Sequence, residues 1–350
     1  FRADLSAELG SGAVSRRGYY EKGLFPGAQS YGRSRVMRFT PYAFRVLAGW
    51  AFTPRCYLEA ALLADARIPA AEDLFYQPLY NNRTIDDPVP ERTSAAEPGW
   101  RLTGPVLDLQ VTAFAVLTLD GTETRRYHDD VASGYCDMAV TGIGRLSCGV
   151  EAAADIRLSY RWRLSLAASA GRYKYARDPV VTVISDVDNS AVDMRAVSRM
   201  GGCETGGAPQ LTAAAELAWF GTKGWGCRAS AGFAGRRFVE LMPLRRTDRI
   251  AGQAGITHEA FDAFTRQERL ADAFTLDASF FKTVRFDRSR LTAALMLRNL
   301  LGDADTPYGG YESLRVRRIR PGDDTLYTPH ATRYTYAWPR SFYLPISYRF

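Results

Sequence analysis

The chain has 350 residues, with 45 Lys and Arg against 38 Asp and Glu, for a net charge of +7. No stretch approaches eighteen consecutive apolar residues, which excludes a transmembrane helix, and the arginines follow no stripe or motif that would read as a nucleic-acid surface. Tyr (19) and Phe (18) far outnumber His (3), a balance that favours strands.

The first residues, FRADLSAEL, already alternate, with Phe1, Ala3, Leu5, Ala7 and Leu9 on one face. The chain therefore opens in mid-strand, and we expect a piece of something longer. A glycine-rich polar stretch runs to about Arg35. Strands follow over roughly 39–52 and 56–66 around the turn Thr53-Pro54-Arg55. Two more flank Leu102-Thr103-Gly104-Pro105. The second of these sets Leu107, Leu109, Val111, Ala113, Ala115, Leu117 and Leu119 against Asp108, Gln110, Thr112 and Thr118.

The alternation continues through Val150–Leu158, Leu164–Ala170, Leu211–Trp219, Trp225–Gly235, Phe274–Phe280 and Leu291–Leu297, and it ends in FYLPISYRF. Twelve strands result. Short connections near 53–55, 102–105, 160–162, 220–224 and 284–289 alternate with long ones over 10–36, 67–90, 120–144, 176–208, 238–271 and 302–339. A soluble sandwich has no reason to collect every long loop at one end. An outer-membrane barrel does, with short periplasmic turns and long extracellular loops.

The fold expected is thus all-β: one transmembrane antiparallel β-barrel domain over 1–350. A mean hydropathy of −0.22 suits it, because only every second strand residue faces lipid. Leu109, Val111, Ala213, Leu217, Leu291, Ala293, Leu295 and Ile346 should point to lipid, and Gln110, Thr112, Glu216 and Ser347 to the lumen. Trp50, Phe52, Tyr160, Trp162, Trp219, Phe220 and Trp225 cluster at the short turns, where an interfacial girdle belongs. The last strand leaves a long loop and runs inward, placing the C-terminus in the periplasm. Phe350 then ends a lipid-facing row in the manner of a barrel assembly signal, which implies outer-membrane lipid and the barrel-assembly machinery as partners.

Several stretches resemble the C-terminal part of a TonB-dependent receptor. The type is the one abundant in Bacteroidetes, whose full-length members often carry an N-terminal carboxypeptidase-regulatory-like domain. The matching stretches are GLFPGAQSYGRSR with AFRVLAGWAF, RRYHDD, VTGIGRLSCGVEAAADIRLSYRWRLSLAASAGRYKY, GGAPQLTAAAELAWF, RRFVELMPLRRT, QERLADAFTLDASFFKTVRF, RNLLGDADTPYGGYE and YTYAWPRSFYLPISYRF. The resemblance implies a 22-stranded barrel around an N-terminal plug in the outer membrane of a Gram-negative bacterium. Such a receptor imports a scarce ligand with energy passed through TonB. Twelve strands are present here, and the plug, the TonB box and about ten strands would lie upstream. Siderophore, cobalamin, glycan and peptide ligands are not distinguished, and an outer-membrane lipoprotein partner is left open.

Tyr127-His128-Asp129-Asp130 sets an imidazole beside two carboxylates in an expected extracellular loop. It reads as a ligand contact, or as a solvated loop that orders its neighbour. Arg317 and Arg318, inside the basic run 315–320, read as contacts to acidic sugars or lipid phosphates, or as a solvated face flanked by Asp303, Asp305, Asp323 and Asp324. His128, His258 and His330 all fall in long loops, away from a strand serine, so no enzyme and no cofactor is expected. The five cysteines lack CxxC spacing and their odd count leaves a thiol over, Cys203–Cys227 being a conceivable bridge. The alternative to the receptor is a self-contained twelve-stranded barrel acting as a passive channel or phospholipase. A soluble all-β binding module is a third.

Overall fold

The computed structural model describes residues 1–20, 30–79, 81–129, 133–251, 257–319 and 326–350. Period-two alternation produces one antiparallel meander in which each strand pairs with the next along the chain. We number its wall strands β1 (Arg2–Leu9), β2 (Tyr42–Thr53), β3 (Cys56–Arg67), β4 (Glu91–Leu102), β5 (Leu107–Asp129) and β6 (Gly134–Arg157). They continue as β7 (Trp162–Arg177), β8 (Leu211–Phe220), β9 (Trp225–Gly235), β10 (Ala273–Arg285) and β11 (Arg290–Arg298). The twelfth, β12, is interrupted at Leu344-Pro345 into Ser341–Tyr343 and Ile346–Arg349, both paired to β11. Pro345 has no N–H to give the ladder, yet its carbonyl accepts from Ala294 N at 3.0 Å, so the strand bends without leaving the sheet.

Register keeps the two faces apart. One row reads Leu109, Ala154, Leu166, Ala215, Ala231 and Leu276 across β5 to β10. The row one residue away reads Asp108, Asp155, Ser165, Glu216, Ser230 and Asp277. A slip of one residue would put a carboxylate of β5, β6, β8 or β10, or a serine of β7 or β9, on the apolar face, so the pattern specifies the pairing strongly. The polar row is internally compensated. Ser165 Oγ donates to Asp155 at 2.5 Å, Arg163 lies 3.5 Å from Asp155 and Arg228 4.0 Å from Glu216. With Arg101 and Gln110 it lines a recess of about 550 Å³.

Short turns close one end of the wall. The 221–224 turn needs glycine last: Gly224 has φ +78°, and a Cβ there would stand 2.1 Å from the Thr283 carbonyl oxygen. Trp50, Phe52, Tyr160, Trp162, Phe220 and Trp225 are exposed at this end, and Trp162 sits beside Trp219 with ring centroids 6.5 Å apart.

The expectation of a long loop over 120–144 is corrected. β5 and β6 run for 23 and 24 residues, so most of that segment is a hairpin that outgrows the wall. The alternation of Thr122, Thr124 and Arg126 with Glu123, Arg125 and Tyr127 is strand-forming; its polarity, not its period, resembles a loop. The ladder shifts register around Gly121–Ile143, where Asp120 (φ 64°) and Gly142 (φ 70°) leave the extended region. Among the described residues no ladder joins β1 to β12, and each is hydrogen-bonded to one wall neighbour.

Candidate functional site at the long-loop end

The overgrown hairpin is a spine with a hydrophobic core on each face. Cys136, Met138 and Val140, with Tyr127 from β5, pack on one side against Tyr175, Val181, Val183, Met200, Leu241, Met242 and Leu244. Ala139, one position out of phase, joins the opposite core of Met37, Phe39, Leu74, Phe75, Tyr76, Ile85 and Ile184. The loops of the first wall strands therefore lean on one face and those of the last strands on the other. Residues 180–185 add a strand to β6 and fix the second group.

Charge pins the loops where the apolar contacts end. Arg125 reaches Glu123 at 2.8 Å and Glu240 at 2.9 Å, while Arg145 holds the second oxygen of Glu123 at 2.5 Å. Burial pushes the Glu123 carboxyl upward, but the two guanidinium groups outweigh it and hold it below the usual carboxylate range. Arg246 and Glu312 form a two-pronged pair at 2.6 and 2.8 Å with side chains only 1% and 4% exposed. Met242 N donates to the same carboxylate at 2.8 Å, and Arg246 donates onward to the Thr265 carbonyl at 2.7 Å. Both terminal nitrogens of Arg246 and both oxygens of Glu312 are thus hydrogen-bonded as well as paired, with Arg246 Nε left as a buried donor without a partner among the described residues.

The sequence candidates land in different roles. Tyr127 and Asp129 share the inner face of the spine: the Tyr127 hydroxyl donates to Asp129 at 2.9 Å, and Arg249 donates to the same carboxylate oxygen at 3.1 Å. Burial, then the neighbouring Asp129, drive the Tyr127 hydroxyl far above its ordinary range, so it stays a donor. His128 points to the other face and packs edge-on to Tyr135, ring centroids 5.4 Å apart. The motif is therefore split across two faces, and Asp130 lies outside the described residues. Arg317 and Arg318 sit on Val316–Ile319, opposite Thr328 and Tyr327. Phe350 is fully exposed at the short-turn end, its ring 6.2 Å from that of Tyr348. All five cysteines are free thiols, Cys203 and Cys227 included, and burial pushes Cys136 up to about 11.

Sequence reasoning missed Arg125, Glu240, Arg246 and Glu312. Arg246 and Glu312 are 66 positions apart in separate polar loops, and nothing local marks either as buried.

No family model matches the chain, and no curated protein matches it. Solved structures do. The copper transporter OprC superposes with a TM-score of 0.59 at 16% identity, covering 99% of this chain and 45% of its own. The ferric-catecholate import receptor Fiu from E. coli K12 gives 0.55 at 13%, covering 98% and 42%. The ferric yersiniabactin uptake receptor FyuA from Yersinia pestis gives 0.52 at 12%, covering 99% and 43%. This chain spans less than half the length of each. At such identities the likeness is one of fold: the antiparallel meander of this chain follows part of each of those three structures.

Proposed function

We propose that this chain is part of the barrel of a TonB-dependent receptor in the outer membrane of a Gram-negative bacterium, and that the whole protein imports a scarce ligand. The observation that carries the reading is the one-sidedness of the wall: twelve meandering strands with every long connection at the end where the spine and its loops are built. The solved structures that cover nearly all of this chain are a transporter and import receptors rather than enzymes, which supports the same reading.

In this reading the apolar row faces lipid, and the acidic row faces a lumen that a plug would fill. The short turns and the C-terminus lie in the periplasm, and Phe350 serves the barrel-assembly machinery. The Bacteroidetes-type affiliation, the upstream regulatory-like domain and an outer-membrane lipoprotein partner rest on the sequence resemblance. Ligand contact falls to the loops at this end, with Arg317 and Arg318 as the candidates the sequence offers. Tyr127 and Asp129 are engaged in holding the spine to the loop of Arg249.

The test is uptake of a panel of ferric siderophores, cobalamin, oligosaccharides and peptides in cells lacking the gene and, separately, lacking TonB. The reading expects one ligand class to be lost in both strains. Loss in the first strain with full uptake in the second would instead mark a passive channel.

A further inference from the structure

Three loops at the spine's inner face are held together by contacts that do not pass through the wall. The loops after β9 and β11 share a short parallel bridge, in which Glu240 N donates to Gly310 O and Glu312 N to Glu240 O, each at 2.9 Å. Thr332 and Tyr334 donate to the two oxygens of Glu268 at 2.9 and 2.5 Å, and Arg245 donates to the His330 carbonyl at 2.9 Å. The loop after β7 is tied to the same body. Arg199 N donates to Arg246 O at 2.9 Å, Ser198 Oγ to Pro243 O at 2.6 Å, and Gln267 exchanges two bonds with the Glu204 backbone at 3.0 and 2.6 Å. The Arg246–Glu312 pair sits where the three meet, among Met200, Cys203, Leu241, Met242 and Leu314 of the inner core.

From this geometry we infer that the three loops form one cooperative lid with Arg246–Glu312 as its pin, and that the lid opens as a unit rather than loop by loop. Parting the loop after β9 from the loop after β11 would strand a buried guanidinium or carboxylate. Freeing the loop after β7 would break its bonds to the Arg246 and Pro243 carbonyls and to Gln267. Partial opening is therefore penalised more than opening at a joint that touches water. The joint available is the Arg125–Glu240 pair on the spine, where both side chains already touch solvent. The unit behaviour follows from these contacts alone. Its use in admitting a ligand rests on the receptor reading above, and the experiment below does not depend on transport.

The experiment is hydrogen exchange followed by mass spectrometry on the whole protein in isolated outer membranes. In the unaltered protein, segments 198–205, 237–249 and 307–315 are expected to share one opening equilibrium and one denaturant dependence, distinct from that of segment 68–79 on the other face of the spine. Glu312→Gln should raise exchange in all three segments together by about a hundredfold or more and leave 68–79 unchanged. Arg246→Met combined with Glu312→Leu, which removes both charges, should restore most of the protection. Independent exchange of the three segments in the unaltered protein would overturn the inference. So would a Glu312→Gln effect confined to residues beside 246 and 312, or one that spreads equally to 68–79 and the wall.

Discussion

Arginine placed along β8 gauges the membrane reading by depth. Trp219, beside Trp162, marks the interface at the short-turn end. A strand rising about 3.3 Å per residue and tilted about 45° gains roughly 2.3 Å of depth per residue, and the apolar band is about 25 Å tall. Ala215, four residues from Trp219, then lies about 9 Å deep and Ala213 about 14 Å, on either side of the midplane. Leu217 lies only about 5 Å deep. Ala215→Arg should therefore destabilise by about 2–4 kcal/mol and Leu217→Arg by about 1–2, because the shallower guanidinium reaches the headgroups. Ala214→Arg, between Ala167 and Gly232 on the polar face, should change stability by no more than about 0.5 kcal/mol. The assay is reversible urea unfolding in lipid vesicles, followed by tryptophan fluorescence and compared at fixed lipid composition. Equal losses at Ala214 and Ala215, or a larger loss at Leu217 than at Ala215, would refute the facing and the depth scale.

Removing Phe350, or replacing it with Asp, should lower the amount of folded protein in the outer membrane while leaving the fold of what does assemble unchanged; heat-modifiable migration on gels measures the fraction. Gly149→Ala should destabilise by about 1–3 kcal/mol, since its Cβ would fall 2.5 Å from the Ala170 carbonyl oxygen and 2.7 Å from Gly171 Cα, and the same unfolding assay reads it. Glu123 is held below its usual range in the folded protein, so the stability it lends is present above its unfolded value of about 4.3 and is lost as pH falls through the lower folded value. The distance between spin labels on Thr122 and on the Glu240 loop should hold from pH 8 to 6 and broaden only below about pH 4.

The wall was legible in the sequence because period-two alternation writes facing, register and strand number into neighbouring residues, as in the runs Leu107–Leu119 and Leu211–Trp219. The extension of β5 and β6 was not. Its faces carry Glu123, Arg125 and Tyr127 against Thr124 and Arg126, so both sides look polar although Met138, Val140 and Ala139 bury them. The loop site was the least legible part. Tyr127 and Asp129 stood out as neighbours of His128, but strand geometry turns His128 to the opposite face. Arg246 and Glu312 acquire their meaning only when two distant loops meet, and no short motif records such a meeting.

The central claim is that these twelve strands are part of a larger receptor barrel. It is tested most directly by a cryo-electron-microscopy structure of the protein taken from its native outer membrane. The account predicts that Arg2–Leu9 is hydrogen-bonded on its outer edge to further strands, with a folded plug against the Asp108–Glu216 row. A closed barrel in which Arg2–Leu9 pairs directly with Ser341–Arg349 around an unplugged lumen would contradict it.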